Sequence, residues 1–230
     1  MAINIDSVYK AVLVVMEQEK RGVLTPLEFN KIATQVQQEI FTKYFDDLNQ
    51  LLRMPQTSLA YADRISLLDE KISLFKTYSS LPLTNSMLTI PSEVQELGSV
   101  ILGNREVQRI QEYEVYTTNT SPLTAPTTWY PVYTYKSKVI KIYPDQVNGT
   151  TLLLNYLRFP VDVKWGFTIN ANLGNYIYNK LDSQDFEIHK SDQPLVISRI
   201  LEYAGVMSKD QLVMALGTQK EQQVNVNSKQ

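Results

Sequence analysis

The stretch from Lys136 to Gly166 constrains the fold more than any other part of the chain. It holds two β-rich runs, Lys138–Tyr143 and Thr151–Phe159, around a connection containing Pro144-Asp145 and Asn148-Gly149. Val, Ile, Thr and Tyr suit a pleated, half-buried surface. Pro-Asp and Asn-Gly are turn chemistry, the Asn-Gly pair because it tolerates positive φ. The pattern predicts an antiparallel hairpin, with Ile140 and Ile142 on one face and Val139, Lys141 and Tyr143 on the other. Phe159-Pro160 closes the second run, because proline has no ladder N–H. Trp165 follows as a large apolar anchor, expected to lid the core of the sheet.

Upstream the periodicity changes from two to about 3.6. Ile5, Val8, Val12 and Val15 give an apolar face to a helix over Asn4–Arg21, with Asp6 in its first turn, Lys20 and Arg21 in its last, and Gly22 just beyond. Thr25-Pro26-Leu27-Glu28 is a capping box with proline at N1 and opens a second helix. Phe29, Ile32, Val36, Ile40, Tyr44 and Leu48 run down one side of it to about Leu52, ahead of Pro55. A third helix is predicted from Ser58 to about Tyr78, with Tyr61, Ile65, Leu68, Ile72 and Phe75 as its seam.

Beyond this the composition shifts. Met87–Ile90, Ser99–Leu102 and Trp129–Tyr135 read as strands, Glu106–Tyr116 fits either helix or strand, and the Thr- and Pro-rich run Thr117–Thr128 reads as an exposed loop. Asn170–Asn179 fits a helical turn or a strand. A helix start is predicted at Asp192-Gln193-Pro194, with Val196, Ile200, Leu201 and Ala204 facing inward and Gly205 ending it. Ser208 and Gln211 make another capping box, before an amphipathic segment to about Gln222. The expected class is α+β: an antiparallel helical bundle, built from N-terminal and C-terminal helices, with an inserted antiparallel β-lobe. The expected organisation is a helical bundle over 1–80, a β-rich lobe over 81–170, a C-terminal helical segment over 171–222 returning to the bundle, and a polar tail over 223–230.

Composition narrows the chemistry. At 43% hydrophobic and 20% charged the chain is globular in type. A net charge of −2 argues against sequence-independent nucleic-acid binding, which needs excess Lys and Arg to displace counterions. There is no cysteine and a single histidine, His189, so thiolate nucleophiles, cysteine-zinc sites, Ser-His-Asp triads and multi-histidine metal sites have no residues to build from. The first residues lack a basic n-region, so no secretory signal peptide is expected, and the longest apolar run, Ala11–Met16, is too short to span a bilayer.

Motif by motif, the bland reading wins. Asp46-Asp47 point about 100° apart on a helix and read as a solvated face. Asp182, Asp185 and Glu187 could gather round a hard cation, but no glycine follows where a calcium loop must turn. His189 reads as a surface or satisfied histidine. Neither a P-loop, a G-x-G-x-x-G nor a G-x-S-x-G elbow occurs. No catalytic, cofactor-binding or metal-binding residue is therefore assigned, and no cofactor. Tyr113, Tyr116, Tyr130, Tyr133, Tyr135, Tyr143 and Tyr156 concentrate in the β-lobe. Such aromatics can stack on bases or sugars, but without excess Arg and Lys an interface or core role fits better.

Several runs carry a resemblance. Tyr143-Pro144, Tyr156-Leu157-Arg158-Phe159-Pro160, Trp165, Asp185-Phe186-Glu187 and Tyr203-Ala204-Gly205-Val206, in that order, resemble structural proteins of tailed bacteriophages. The run RGVLTPLEFNKIATQVQQEIFTKYFDDLNQ, from Arg21 to Gln50, resembles the corresponding segment in proteins of crAss-like phages. The family these runs resemble is the head-to-tail connector, or adaptor ring protein, of short-tailed phages. The resemblance implies a virion structural protein of the neck or tail, assembled in the bacterial host cytoplasm as a homo-oligomeric, typically dodecameric ring. Its implied partners are the portal protein, neighbouring tail ring proteins and phage DNA passing through the lumen without sequence-specific binding. It implies no enzyme activity and no membrane partner. Cyclic rings use heterologous interfaces, and the seam is expected on the second helix and the tyrosine-rich lobe. Another tail, nozzle or capsid-associated component, a sugar-binding module built on the aromatic β-lobe, and a tail-borne hydrolase remain alternatives.

Overall fold

The computed structural model describes residues 2–18, 24–53, 59–145, 151–170, 174–207, 218–219 and 222–223. It is mixed α+β, with five α-helices and several antiparallel sheets among these residues. The chain divides into two compact units: Met1–Leu74 with Pro160–Gln230, and Phe75–Phe159.

The first unit contains α1 (Ile5–Gln18), α2 (Pro26–Arg53), α3 (Leu59–Ser73) and α5 (Gln193–Met207). Helix α2 packs on α5 and α3, and α1 on α5. Ile5, Val8 and Val12 are fully buried as their spacing requires, and Tyr9 and Met16 join them. The capping box at the head of α2 forms as read: Glu28 Oε2 accepts from the Thr25 N–H at 3.0 Å and from its hydroxyl at 2.6 Å. Phe29, Ile32, Val36, Ile40 and Tyr44 of α2 are buried, as are Val196, Ile200, Leu201 and Ala204 of α5. Gly205 does not end α5. It lies buried inside the helix, which continues to Met207. Lys20, Arg21, Gly22, Pro55, Ser58, the Ser208/Gln211 box and nearly all of the segments after it lie outside the described residues.

The third helix stops at Ser73, and the residues that follow form a strand instead of another helical turn. Lys76–Pro82 (β1) pairs residue by residue with Thr151–Leu157, and seven ladder positions outweigh one more turn of exposed helix. Phe75, expected on the helical seam, is buried in the β-unit.

The β-unit holds β2 (Met87–Thr89), β3 (Val94–Leu102), β4 (Arg105–Glu106), β5 (Gln108–Arg109), β6 (Val132–Lys136), β7 (Val139–Tyr143) and β8 (Thr151–Arg158) as well. They form two four-stranded sheets, ordered β1-β8-β3-β4 and β2-β7-β6-β5. The hairpin expected between Lys138–Tyr143 and Thr151–Phe159 is therefore not formed: β7 and β8 lie in different sheets. Strand β7 instead pairs with β6 across Ser137-Lys138, whose φ angles of 47° and 63° are those of a primed hairpin turn. A two-residue closure is entropically cheaper than the longer connection to β8, where Asn148-Gly149 falls outside the described residues. The face assignment survives, since Ile140 and Ile142 are fully buried and Val139, Lys141 and Tyr143 half-buried. Both sheets feed one core, with Leu152, Leu154 and Tyr156 facing Ile140, Ile142 and Tyr133 within a single apolar cluster. The unit opens and closes at one point, where the Arg158 N–H donates to the Phe75 carbonyl at 3.0 Å.

Trp165 does not lid this core. It is buried in the helical unit, its ring 4.5 Å from that of Tyr9 and 5.6 Å from that of Tyr178, and its indole N–H donates to Asp6 Oδ1 at 3.2 Å. Tyr178 lies on β10 (Tyr176–Tyr178), which pairs antiparallel with β9 (Phe167–Ile169).

Candidate interaction surface

The carboxylates considered for a cation separate to different tasks. Asp182 pairs with Lys164 at 2.6 Å, half exposed. Asp185 Oδ1 accepts the Ile5 N–H at 2.9 Å, placing negative charge at the N-terminus of α1, where the helix dipole favours it. Glu187 Oε2 accepts the Val161 N–H at 2.9 Å. Among the described residues no group of three His, Asp or Glu side chains could hold a metal ion. His189 caps the turn Lys190–Asp192 ahead of α5: its Nδ1 accepts from the Ser191 N–H at 3.3 Å and lies 2.8 Å from the Ser191 hydroxyl. Asp46 is exposed on α2 and Asp47 half-buried beside it.

Two polar networks of the helical unit escaped the sequence reading. Asn30, Thr34 and Gln37 lie on one side of α2 and grip the extended segment 161–165 in reverse order. Asn30 Oδ1 accepts the Trp165 N–H at 2.7 Å, the Thr34 hydroxyl donates to the Val163 carbonyl at 3.4 Å, and Gln37 Nε2 donates to the Val161 carbonyl at 2.7 Å. Gln37 also accepts the Glu187 N–H at 2.8 Å, so this buried amide satisfies two extended segments at once. The i, i+4, i+7 spacing was visible, but not the segment it serves. In the second network Asp192 accepts from Tyr44 at 2.5 Å and from Lys71 at 2.8 and 2.9 Å. The Lys71 ammonium also sits 5.4 Å from the centre of the Tyr44 ring. Burial, then the Asp192 charge, push the Tyr44 phenol far above its ordinary range.

The seven tyrosines of the lobe divide by position. Tyr133 and Tyr156 are in the core and Tyr143 is half-buried, whereas Tyr113, Tyr116 and Tyr130 are each 80% exposed and Tyr135 is 38% exposed. The exposed ones cluster on and beside the excursion between β5 and β6, with Leu123 and Trp129 exposed alongside. The exposed loop expected over Thr117–Thr128 is found from Ser121 to Thr128, but its first residues are helical. A 3-10 turn (Glu112–Glu114) runs into a short helix, α4 (Val115–Thr120), and the strand expected from Trp129 begins only at Val132. Tyr113 and Tyr116, three residues apart, project from one side of that helical stretch.

The excursion braces itself. Gln111 and Glu114 form a reciprocal cap. The Ala125 N–H donates to the Ser121 carbonyl at 3.0 Å, and Thr127 and Tyr130 exchange backbone bonds at 3.3 and 3.1 Å. Its base is tied down on both sides: Lys136 pairs with Glu112 at 2.8 Å, and Arg105 donates to the Trp129 carbonyl at 2.7 Å with its guanidinium 4.3 Å from the centre of the indole. Arg109 lies 5.5 Å from the centre of the Tyr135 ring. With its backbone bonds made internally, the segment holds large apolar side chains out in water, a surface type that marks interaction sites.

No protein-family profile matches the chain, and no curated protein sequence matches it. Among the described residues no helix is long and apolar enough to cross a membrane.

Proposed function

We propose that this chain is a virion structural protein: a head-to-tail connector subunit that forms a homo-oligomeric ring between portal and tail and lines part of the DNA channel. The observation that carries the reading is the braced excursion bearing Tyr113, Tyr116, Leu123, Trp129 and Tyr130. Aromatic and Arg side chains in such a setting are the usual anchors of protein–protein contacts, and Arg105 stacked on Trp129 fits that composition. The resemblance of Arg21–Gln50 to proteins of crAss-like phages and of the later Tyr, Trp and Pro runs to structural proteins of tailed phages, with the head-to-tail connector as the family implied, supplies the expected ring and its partners. In this reading α1, α2, α3 and α5 form an antiparallel bundle with the β-unit inserted in its sequence. The slightly negative net charge suits a channel through which DNA slides without sticking.

The test is the mass in solution of the purified protein, alone and mixed with the portal of the same phage. A ring-sized species, formed alone or on the portal, is the expected result. A persistent monomer that ignores portal would overturn the proposal, and glycan binding by that monomer would move the assignment to a sugar reader using Tyr116 and Tyr130.

A further inference from the structure

A ring needs two different patches on each copy, and besides the exposed excursion the β-unit carries a groove on another face. On the face of the β1-β8-β3 sheet turned away from the core lies an open groove of about 490 Å³, lined by Tyr78, Glu96, Leu97, Gly98, Asn155 and Leu157 among others. Gly98 explains why the groove exists. A Cβ there would come within 2.9 Å of the Asn155 carbonyl, so only glycine lets β3 pass this close to β8, and it leaves the floor bare. The ladder shifts register at this point, between Leu97 and Val100. Leu157 pairs with Lys76 on one side and Glu96 on the other, so an apolar strip runs between a cation and a carboxylate. Tyr78, 75% exposed, forms the outer wall.

We propose that the groove receives the Trp129-Tyr130 tip of the excursion from a second copy of this chain. This rests on the ring reading above and names the seam. Three features select this occupant. The tip and the groove are different patches of the same unit, as a contact that closes a ring requires. The charges fix an orientation, because Arg105 beside Trp129 on the tip can face Glu96 on one side of Leu157 but not Lys76 on the other. The tip has the size of an anchor: its two aromatics, 65% and 80% exposed, bring roughly 300 Å² to the centre of a contact whose standard size is ~800 Å² per partner. Within one copy, the hydrogen bonds and ion pairs described for the excursion lie within it or return to β4 and β6, not to this face.

The chain has no cysteine, so a single engineered pair reports cleanly. Copies carrying Thr128→Cys, next to the tip, are mixed with copies carrying Ser80→Cys, on the groove side, and oxidised. A covalent dimer joining one copy of each kind is expected, and its absence while rings are present would overturn the proposal. A second experiment reads assembly. Leu157→Arg, which blocks the groove, and Trp129→Ala with Tyr130→Ala, which removes the tip, should each abolish rings while melting as the parent does. Mixed together they should form a dimer and nothing larger, since one intact tip meets one intact groove. Rings that survive both variants would sink the seam and leave the connector reading standing. A parent protein that forms no ring, alone or with portal, sinks the connector reading itself.

Discussion

The two units solve the problem of cohesion differently. The β-unit is one continuous piece of chain held mainly by an apolar core: two sheets close on Ile140, Ile142, Leu152 and Leu154, all fully buried. The helical unit is assembled from two distant pieces of sequence, and they are fastened by polar latches as well as by apolar packing. Gln37 holds Val161 and Glu187, Asp192 joins Tyr44 and Lys71, and Asp185 caps α1. Apolar contact is non-directional and would tolerate sliding of the returning segment along α2. Hydrogen bonds at Asn30, Thr34 and Gln37 fix its register. Sequence-distant partners thus gain specificity from groups that contribute little net stability but cost much when orphaned.

The contrast can be broken most completely in alkali. The phenols of Tyr9 and Tyr203 are pushed up to about 12, Tyr9 first by burial and Tyr203 first by its hydrogen bond to Glu39, and Tyr44 is raised further still. A raised phenol means that the folded state holds its proton more tightly than the unfolded chain. The stability from these groups is fully present below the ordinary tyrosine value and is lost as pH rises through about 12. Tyr133 and Tyr156 are raised too, but their unit has a dry core to fall back on. Helical circular dichroism should therefore collapse together with tyrosinate absorbance before the strand signal does. Loss of both signals at one pH would erase the distinction.

Ile140→Ala should cost about 4 kcal/mol, because the site is fully buried between two sheets that cannot easily collapse on the hole. Asp192→Ala should cost about 3 kcal/mol by stranding Lys71 and the Tyr44 hydroxyl, while Lys71→Met combined with Asp192→Leu should recover most of it. Trp165 reports on the helical unit and Trp129 on the β-unit, so urea unfolding followed in a Trp129→Phe background reads the helical unit alone. In that background Asp192→Ala should shift the midpoint strongly and Ile140→Ala weakly. Equal shifts would mean that the two units unfold as one.

Gln37→Ala should cost about 2 kcal/mol by orphaning a carbonyl and an N–H, and amide exchange at Glu187 should quicken while the β8 amides stay protected. The smallest effect belongs to the cap. Thr25→Ala should cost about 1 kcal/mol. The Thr25 side chain and backbone, bonded to Glu28, hold that carboxyl below its ordinary value, so this part of the stability is present at neutral pH and disappears as acid protonates Glu28. The difference between parent and variant should shrink toward low pH. A difference constant with pH would show that the threonine acts without its glutamate.

Periodicity made α1, α2 and α5 legible, because residues such as Val8, Phe29 and Ile200 carry their facing in their spacing. Strands announce themselves but not their partners. Ile140 and Ile142 reveal an alternating face, yet nothing local says that β7 joins β6 and that β8 crosses to the other sheet. Ser137-Lys138 turns the chain with two left-handed residues that are neither glycine nor asparagine, whereas Asn148-Gly149 carries the more conspicuous turn chemistry. Trp165 showed its size and not its address, which depends on Asp6 and Asn30 more than a hundred residues away in sequence. For the candidate surface, composition singled out the tyrosines but could not divide Tyr133, in the core, from Tyr130, in water. Burial is a property of the finished fold.

The bond between Arg158 and Phe75 has a consequence of its own. The strand unit leaves the backbone where it entered, like a bead threaded on one loop of string. Lineages can therefore exchange, enlarge or delete that bead while the frame that carries it keeps its latches. The excursion on its surface can vary with it, without the helices having to be redesigned.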